Sequence, residues 1–150
     1  MNYTQDPADA AIFIARQVAS ETRAPRATDD PAQPTLTIKD NDLFLIVDRA
    51  GDTTVKSGAV TGLFCRDTRF LSHSELKIEG RSPVLLGSRA DTGSSLSIYS
   101  TNPPIDSRCD RDSLGIVRRI ALRESLVEQV EVTNYNPPAI RVSFSLKFDA

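Results

Sequence analysis

The chain is poor in the residues that most often build metal and redox sites. Its 150 residues include no tryptophan, one histidine and two cysteines. Cys65 and Cys109 form neither a disulfide framework nor a CxxC metal-binding pair, so we expect both thiols to be reduced and buried. His73 lies about 26 Å from Cys65 along a straight strand, at roughly 3.3 Å per residue, which is too far to share an ion. The sequence therefore predicts no metal site and no cofactor.

Charge of one sign and long apolar runs are also missing. Lys and Arg number 18 against 20 Asp and Glu, for a net charge of −2. This balance gives no general attraction to nucleic acid or membranes. Nowhere do about 18 consecutive apolar residues occur, which argues against a membrane-spanning helix. The N-terminus lacks a basic region followed by an uninterrupted apolar run, so no secretion signal is indicated and we expect a cytoplasmic location.

The first 34 residues are predicted to form a short helix and a flexible linker. Asp6-Pro7 is typical of a helix start, and apolar residues then recur at helical spacing up to Ser20. Residues 21–34 are rich in Pro, Ala, Thr, Arg and Asp, and they offer too little apolar surface to order themselves. We expect the folded domain to begin at about residue 35.

Residues 35–150 carry the pattern of a mainly β protein. Leu43–Val47 is a continuous apolar run that suits a central strand. Farther on, Ile116, Ile120 and Leu122 fall on one face of a strand. Roughly nine or ten strands with short connections and no intervening helices predict an antiparallel β-sandwich rather than a parallel sheet.

Three charges within four residues mark the segment Gly62–Leu71. We predict it to be part of one long or bent strand, Phe64–Ile78, in which Asp67 and Arg69 share a face and Arg66 points the other way. Unpaired buried charges cost several kcal/mol each, so these residues either pair within the sheet or meet a partner domain. If the pair is partly buried, replacing Asp67 by Asn should destabilise the fold by about 1–3 kcal/mol.

Other charged residues give no catalytic pattern. Arginine is frequent over 108–123, and we expect a salt-bridged surface there rather than an anion site. Glycosidase chemistry needs two carboxyl groups about 5–10 Å apart that flank the scissile bond. Nothing in the sequence marks Asp67, Glu75, Glu124 or Glu128 as an acid in an apolar pocket, so we predict no catalytic residue.

Sugar binding would need an exposed aromatic ring. The chain offers only Tyr3, Tyr99 and Tyr135 as tyrosines. Tyr135, in a predicted turn, is the one credible glucan contact, although turn tyrosines more often lean on their own sheet. A stand-alone glucan-binding module is therefore one alternative function.

Three segments together carry a family resemblance: Asp40–Asp52, Gly62–Ser72 and Phe148–Ala150. They resemble the N-terminal domain of bacterial glycogen-debranching-type enzymes of the amylo-α-1,6-glucosidase group. The most specific part is Gly-Leu-Phe-x-Arg-Asp-Thr-Arg-Phe-Leu, beginning at Gly62. The likeness runs from about Leu36 to Ala150 and leaves out the predicted helix and linker.

The resemblance implies a β-sandwich that precedes an (α/α) barrel, and the barrel holds the catalytic acids. Since no barrel follows within these 150 residues, we expect a non-catalytic accessory domain that packs against and supports the barrel of the same polypeptide. The parent enzyme would then be an α-1,6-glucosidase, with Arg66, Asp67 and Arg69 as a family signature and docking element of this domain.

Further partners follow from the same expectation. α-Glucan is the second expected partner, and the excised domain is expected to form a homodimer through the surface that the barrel normally covers. A protein-interaction β-sandwich from an unrelated context is the remaining alternative function.

Overall fold

The computed structural model of the protein describes residues 34–54, 60–105 and 109–150, which contain ten strands and no helix. The strands are β1 (Leu36–Asp40), β2 (Leu43–Val47), β3 (Gly62–Cys65), β4 (Thr68–Leu71), β5 (His73–Ile78), β6 (Val84–Thr92), β7 (Ser95–Thr101), β8 (Leu114–Leu122), β9 (Leu126–Asn134) and β10 (Phe144–Asp149). The prediction of a mainly β fold is confirmed. The predicted helix and nearly all of the predicted linker lie outside the described residues. In the described part, no helix could cross a membrane.

The strands form three antiparallel sheets in two layers. Sheet A has the order β1-β2-β3-β4, sheet B pairs β10 with β5, and sheet C has the order β6-β7-β8-β9. One buried cluster joins sheets A and C and consists of Ile38, Leu45, Val47, Leu96, Ile98, Ile120 and Leu122. A second cluster joins sheets B and C and consists of Leu76, Ile78, Cys109, Leu114 and Ile116. Sheet C is therefore one layer of an antiparallel sandwich, and sheets A and B form the other.

Strand β8 contributes to both clusters because every second residue faces inward. The inward row runs Leu114, Ile116, Arg118, Ile120 and Leu122, and all five are buried. Burying a Leu or Ile side chain contributes about 1.5–3 kcal/mol, so the four aliphatic members account for much of the core of sheet C. The predicted face of this strand is confirmed, but it has a cation at its centre.

The predicted long strand Phe64–Ile78 is wrong. The chain turns at Arg66-Asp67, where both residues have positive φ, 45° and 66°. A two-residue loop with this geometry reverses the chain as a primed β-hairpin turn, so β3 and β4 pair with each other. At Ser72 the chain passes from sheet A to sheet B, and the Ser72 amide donates to the Asp149 carbonyl over 2.8 Å.

Candidate functional site

The three signature charges do not form a cluster. Arg66 donates from Nε to Asp42 Oδ2 over 2.9 Å, and both side chains are mostly exposed. Arg69 donates from Nη2 to the Ser72 carbonyl over 2.8 Å. Asp67 is exposed at the turn and has no side-chain partner in the part of the chain that the structure describes. Asp67 and Arg69 thus do not share a strand face, and the predicted cost of replacing Asp67 by Asn loses its basis.

Arg69 completes a row of four side chains across sheet A. The register places Lys39, Phe44, Phe64 and Arg69 side by side on β1 to β4. The two phenylalanine rings stack with centroids 4.9 Å apart and planes 8° apart, and the guanidinium lies 6.0 Å from the Phe64 centroid. Because Ile38 faces the core, this row lies on the opposite surface. We call it the outer row of sheet A.

A glycine lets Arg69 reach this position. Gly62 has φ +147°, and a Cβ there would lie 2.5 Å from the Leu71 carbonyl oxygen and 2.7 Å from Arg69 Nε. The backbone carbonyl cannot move away as a side chain can, and the positive φ disfavours other residues, so this position needs glycine. The glycine, the phenylalanine and the second arginine of the signature segment therefore act together to build one surface.

The other charged centre is Arg118, which is 3% exposed on the inward face of β8. It donates from Nη1 to Asp52 Oδ1 over 2.5 Å and to the Ala50 carbonyl over 3.0 Å. Its Nε and Nη2 both meet the Glu128 carboxylate, the latter over 3.4 Å. The Asp52 carboxylate that binds Arg118 also accepts a hydrogen bond from the Leu76 amide over 3.2 Å. One guanidinium thus joins the loop after β2 to β5, β8 and β9.

The loop that presents Asp52 is shaped by its own first residue. Asp48 Oδ1 accepts from the amides of Ala50 and Asp52 over 2.8 and 2.9 Å. Between them, Gly51 has φ +80°, and a Cβ there would lie 2.9 Å from Ile98 Cδ1. An aspartate that accepts from amides two and four residues later is typical of a turn, and only glycine fits against the core here. The segment Asp48–Asp52 therefore holds a carboxylate and a carbonyl against Arg118.

One cation shared by two carboxylates sets the electrostatics of this centre. Burial raises the pKa of Asp52 above its ordinary value, although Arg118 acts in the opposite direction. Burial also lowers the pKa of Arg118, but its hydrogen bond and attraction to Glu128, with Asp52, more than compensate and raise that pKa overall. The guanidinium stays charged, and Asp52 is held closer to protonation than an exposed aspartate.

This geometry does not suit hydrolysis. Both carboxylates are bound to Arg118 rather than placed on either side of an open space, as glycosidase acids are. The cleft beside them, lined by residues such as Ala50, Ser82 and Ser100, has a volume of about 20 Å³. That volume holds about one water molecule and excludes a glucose unit. We therefore interpret Arg118 and its two carboxylate partners as a structural ion network.

Strand alternation alone indicates that the Arg118 side chain is buried. Arg118 has the same parity as Ile116 and Ile120, which predicts an inward side chain. We expected the arginines over 108–123 to lie on a salt-bridged surface. That expectation is confirmed for Arg119, which meets exposed Glu131 over 2.7 Å, but it is wrong for the buried Arg118.

Tyr135 leans on its own sheet, as turn tyrosines often do. Its amide donates to the Ser113 carbonyl over 2.9 Å. A Cβ at Gly115 would lie 3.0 Å from Tyr135 Cε2 and 3.3 Å from its hydroxyl oxygen, so the tip of the ring occupies the space that glycine leaves. The residue is nonetheless 59% exposed. It thus presents a fixed ring to solvent at one end of sheet C.

Among the described residues, no group of three His, Cys, Asp or Glu side chains could hold a metal ion. Both cysteines are free; Cys109 is buried, as predicted, whereas Cys65 is only half-buried.

A comparison with protein-family models finds a match over most of the chain. Residues 38–150 match the model described as the N-terminal domain of some glycogen debranching enzymes. The match covers both the loop that binds Arg118 and the outer row of sheet A. Neither the curated proteins nor the solved structures contain a significant match to the chain.

Proposed function

Because the chain belongs to the family of N-terminal domains found in some glycogen debranching enzymes, we propose that it is the non-catalytic β-sandwich of a cytoplasmic debranching-type glycoside hydrolase. In this proposal the sandwich packs against the catalytic (α/α) barrel of the same polypeptide and supports it. The observation that carries the proposal is the family match, which spans nearly all of the described fold.

The charged interior supports a non-catalytic role. Arg118 binds two carboxylates, those of the buried Asp52 and the half-buried Glu128. The space beside Arg118 and Asp52 has room for about one water molecule. A glycosidase needs an acid that reaches the glycosidic oxygen of a bound sugar. This centre instead stabilises one arrangement of the loop after β2 against sheet C.

The outer row of sheet A supports a packing role. Strand β2 is apolar on both faces, and strands of this kind usually lie between two layers. On its outer side, Phe44 and Phe64 lie between the cations Lys39 and Arg69, and the outward positions of β1 to β4 include no carboxylate. A complementary barrel surface would combine apolar side chains with carboxylates. Arg66 and Asp67 lie at the hairpin tip beside this row.

Mixing the two parts tests the proposal. The 150-residue chain should bind the separately produced barrel in analytical ultracentrifugation. Phe64→Asp should weaken this binding strongly, because it places an anion where an apolar ring meets the barrel. The matched control is Phe148→Asp, which alters an aromatic residue that is 57% exposed on sheet B. Equal melting temperatures would show that both variants fold, and a wild-type chain that does not bind the barrel would contradict the proposal.

A further inference from the structure

The outer face of sheet C carries two exposed tyrosines. On β7, Leu96 and Ile98 face the core, so Tyr99 faces outward, and it is 37% exposed. Tyr135 lies over Gly115 of β8 on the same face. These are the only tyrosines in the part of the chain that the structure describes. Both tyrosine rings thus lie on the face of sheet C that points away from the two core clusters.

Tyr99 and Gly115, the glycine beneath the Tyr135 ring, occupy diagonal positions on this face. Tyr99 pairs directly with Val117, two residues along β8 from Gly115. Diagonal positions of this kind are about 7–8 Å apart between Cα atoms. The strand on the other side of Tyr99 presents Gly87 as its partner, and nothing lies within 4 Å of a Cβ placed there. The space beside Tyr99 is therefore open, whereas Tyr135 is held by Gly115 and by its backbone bond to Ser113.

Charged side chains next to Tyr99 are held in pairs. Arg119 meets Glu131 over 2.7 Å, and Arg89 meets Asp91 over 2.7 Å. Asp91 also accepts from Ser97 over 2.5 Å, and this bond, with Arg89, lowers the pKa of Asp91. The hydrogen bond that Arg119 donates to Glu131 raises the pKa of Arg119, and Tyr99 and Asp91 add smaller contributions of the same sign. Arg89 and Arg119 both pair with Ser97, two residues along β7 from Tyr99, so these two ion pairs lie on the same face as Tyr99.

This combination fits a sugar better than a charged polymer. A sugar ring presents C–H groups on its faces and hydroxyls on its edge, so it needs aromatic surfaces together with donors and acceptors in fixed positions. The paired charges leave no excess of either sign for a polyanion or a polycation. Tyr135 is also preorganised, which lowers the entropy cost of binding.

We propose that the outer face of sheet C is a non-catalytic α-glucan binding site, in which Tyr99 and Tyr135 stack on glucose rings and Arg119, Glu131 and Asp91 hydrogen bond to hydroxyls. The identity of the sugar rests on the proposed function. The site lies on the layer opposite the outer row of sheet A, so glucan and barrel would not compete for one surface.

Titration of the 150-residue chain with maltoheptaose tests this site by isothermal calorimetry. The wild-type chain should bind with a Kd in the millimolar range. Tyr99→Ala and Tyr135→Ala should each weaken binding at least about tenfold, as expected for a central aromatic contact. Tyr→Phe at either position should retain most of the affinity, because the ring remains. Phe148→Ala is the matched control, since it removes from sheet B a ring about as exposed as that of Tyr135, and it should leave the affinity unchanged.

Tyrosine emission gives a second readout, because the chain has no tryptophan to mask it. Tyr99→Phe and Tyr135→Phe each remove one reporter, and saturable emission changes should persist in both single variants. Wild-type chain that shows no saturable heat with maltoheptaose would overturn the site, as would alanine variants that bind like wild type while their melting temperatures are unchanged. Barrel binding is measured separately, so the two proposals fail independently.

Discussion

Arg118 is the residue whose environment most needs explanation. A guanidinium in an apolar row loses its water, and the two carboxylates that meet it recover that loss only with good geometry. Apolar residues of similar size often serve stability as well as such a network. We therefore hypothesise that Arg118 is kept for what it joins, because it fixes the loop Asp48–Asp52, β8 and β9 in a single arrangement.

Arg118→Met should lower the free energy of unfolding by about 3–5 kcal/mol, since it leaves two carboxylates at a buried position without their cation. Urea denaturation measures this difference. Arg119→Met is the matched control: the neighbouring side chain is exposed and its ion pair lies at the surface, so stability should stay near the wild-type value. Equal losses in the two variants would show that the Arg118 network stabilises the fold no more than a surface ion pair does.

The pH dependence of stability should report on Asp52. Its folded-state pKa is raised above the ordinary value of 3.8, so the folded protein holds this proton more tightly than the unfolded chain does. The contribution of Asp52 to the free energy of unfolding should therefore be largest below pH 3.8, decrease as pH rises through the folded-state pKa, and stay constant above it. Asp52→Asn removes this change.

Urea denaturation of wild type and Asp52→Asn at a series of pH values measures the effect. The stability of wild type minus that of the variant should decrease as pH rises across the acidic range. A difference that increases with pH in this range would indicate a salt-bridged carboxylate of lowered pKa instead.

At the scale of elements, the β3–β4 hairpin explains the structural role of each residue in the signature segment. Arg66 and Asp67 form the turn, Phe64 and Arg69 pair across the two strands, and Gly62 makes room for the arginine side chain. The segment thus builds a surface through its turn and its cross-strand pair.

Asp67 should matter for its backbone and not for its charge. Asp67→Asn should leave the free energy of unfolding close to wild type, because asparagine adopts positive φ readily and no partner of Asp67 is lost among the described residues. Asp67→Val should cost about 1–2 kcal/mol, since the left-handed region is strained for a side chain branched at Cβ. Thermal and urea melts compare the two. Destabilisation by Asn as large as by Val would mean that the carboxylate itself is needed.

Strand parity predicted the faces of β8 correctly, whereas turn chemistry failed at the hairpin. The inward row of β8 follows from simple alternation, and only the buried charge of Arg118 departs from an apolar pattern. Arg-Asp is not among the pairs that usually form primed turns, and the residues on either side favour strands, so the segment looked continuous. Which side chains meet Arg118 depends on contacts between residues far apart in the chain, and no local pattern contains that information.

At the scale of the whole molecule, the two layers of the sandwich carry the two proposed binding surfaces. The outer row of sheet A, with Phe44 and Phe64 between two cations, is the surface proposed to meet the barrel. The outer face of sheet C, with Tyr99 and Tyr135, is the surface proposed to hold α-glucan. The shared interior, including the Arg118 network, lies between these two surfaces.

Glucose release from a branched dextrin tests whether the sandwich acts only as a partner of a catalytic barrel. The purified chain, the purified barrel and an equimolar mixture are compared under identical conditions. We expect no release by the chain alone and faster release by the mixture than by the barrel alone. Glucose release by the chain alone, reproduced with independently purified protein, would contradict the central claim that this domain is a non-catalytic partner of the barrel.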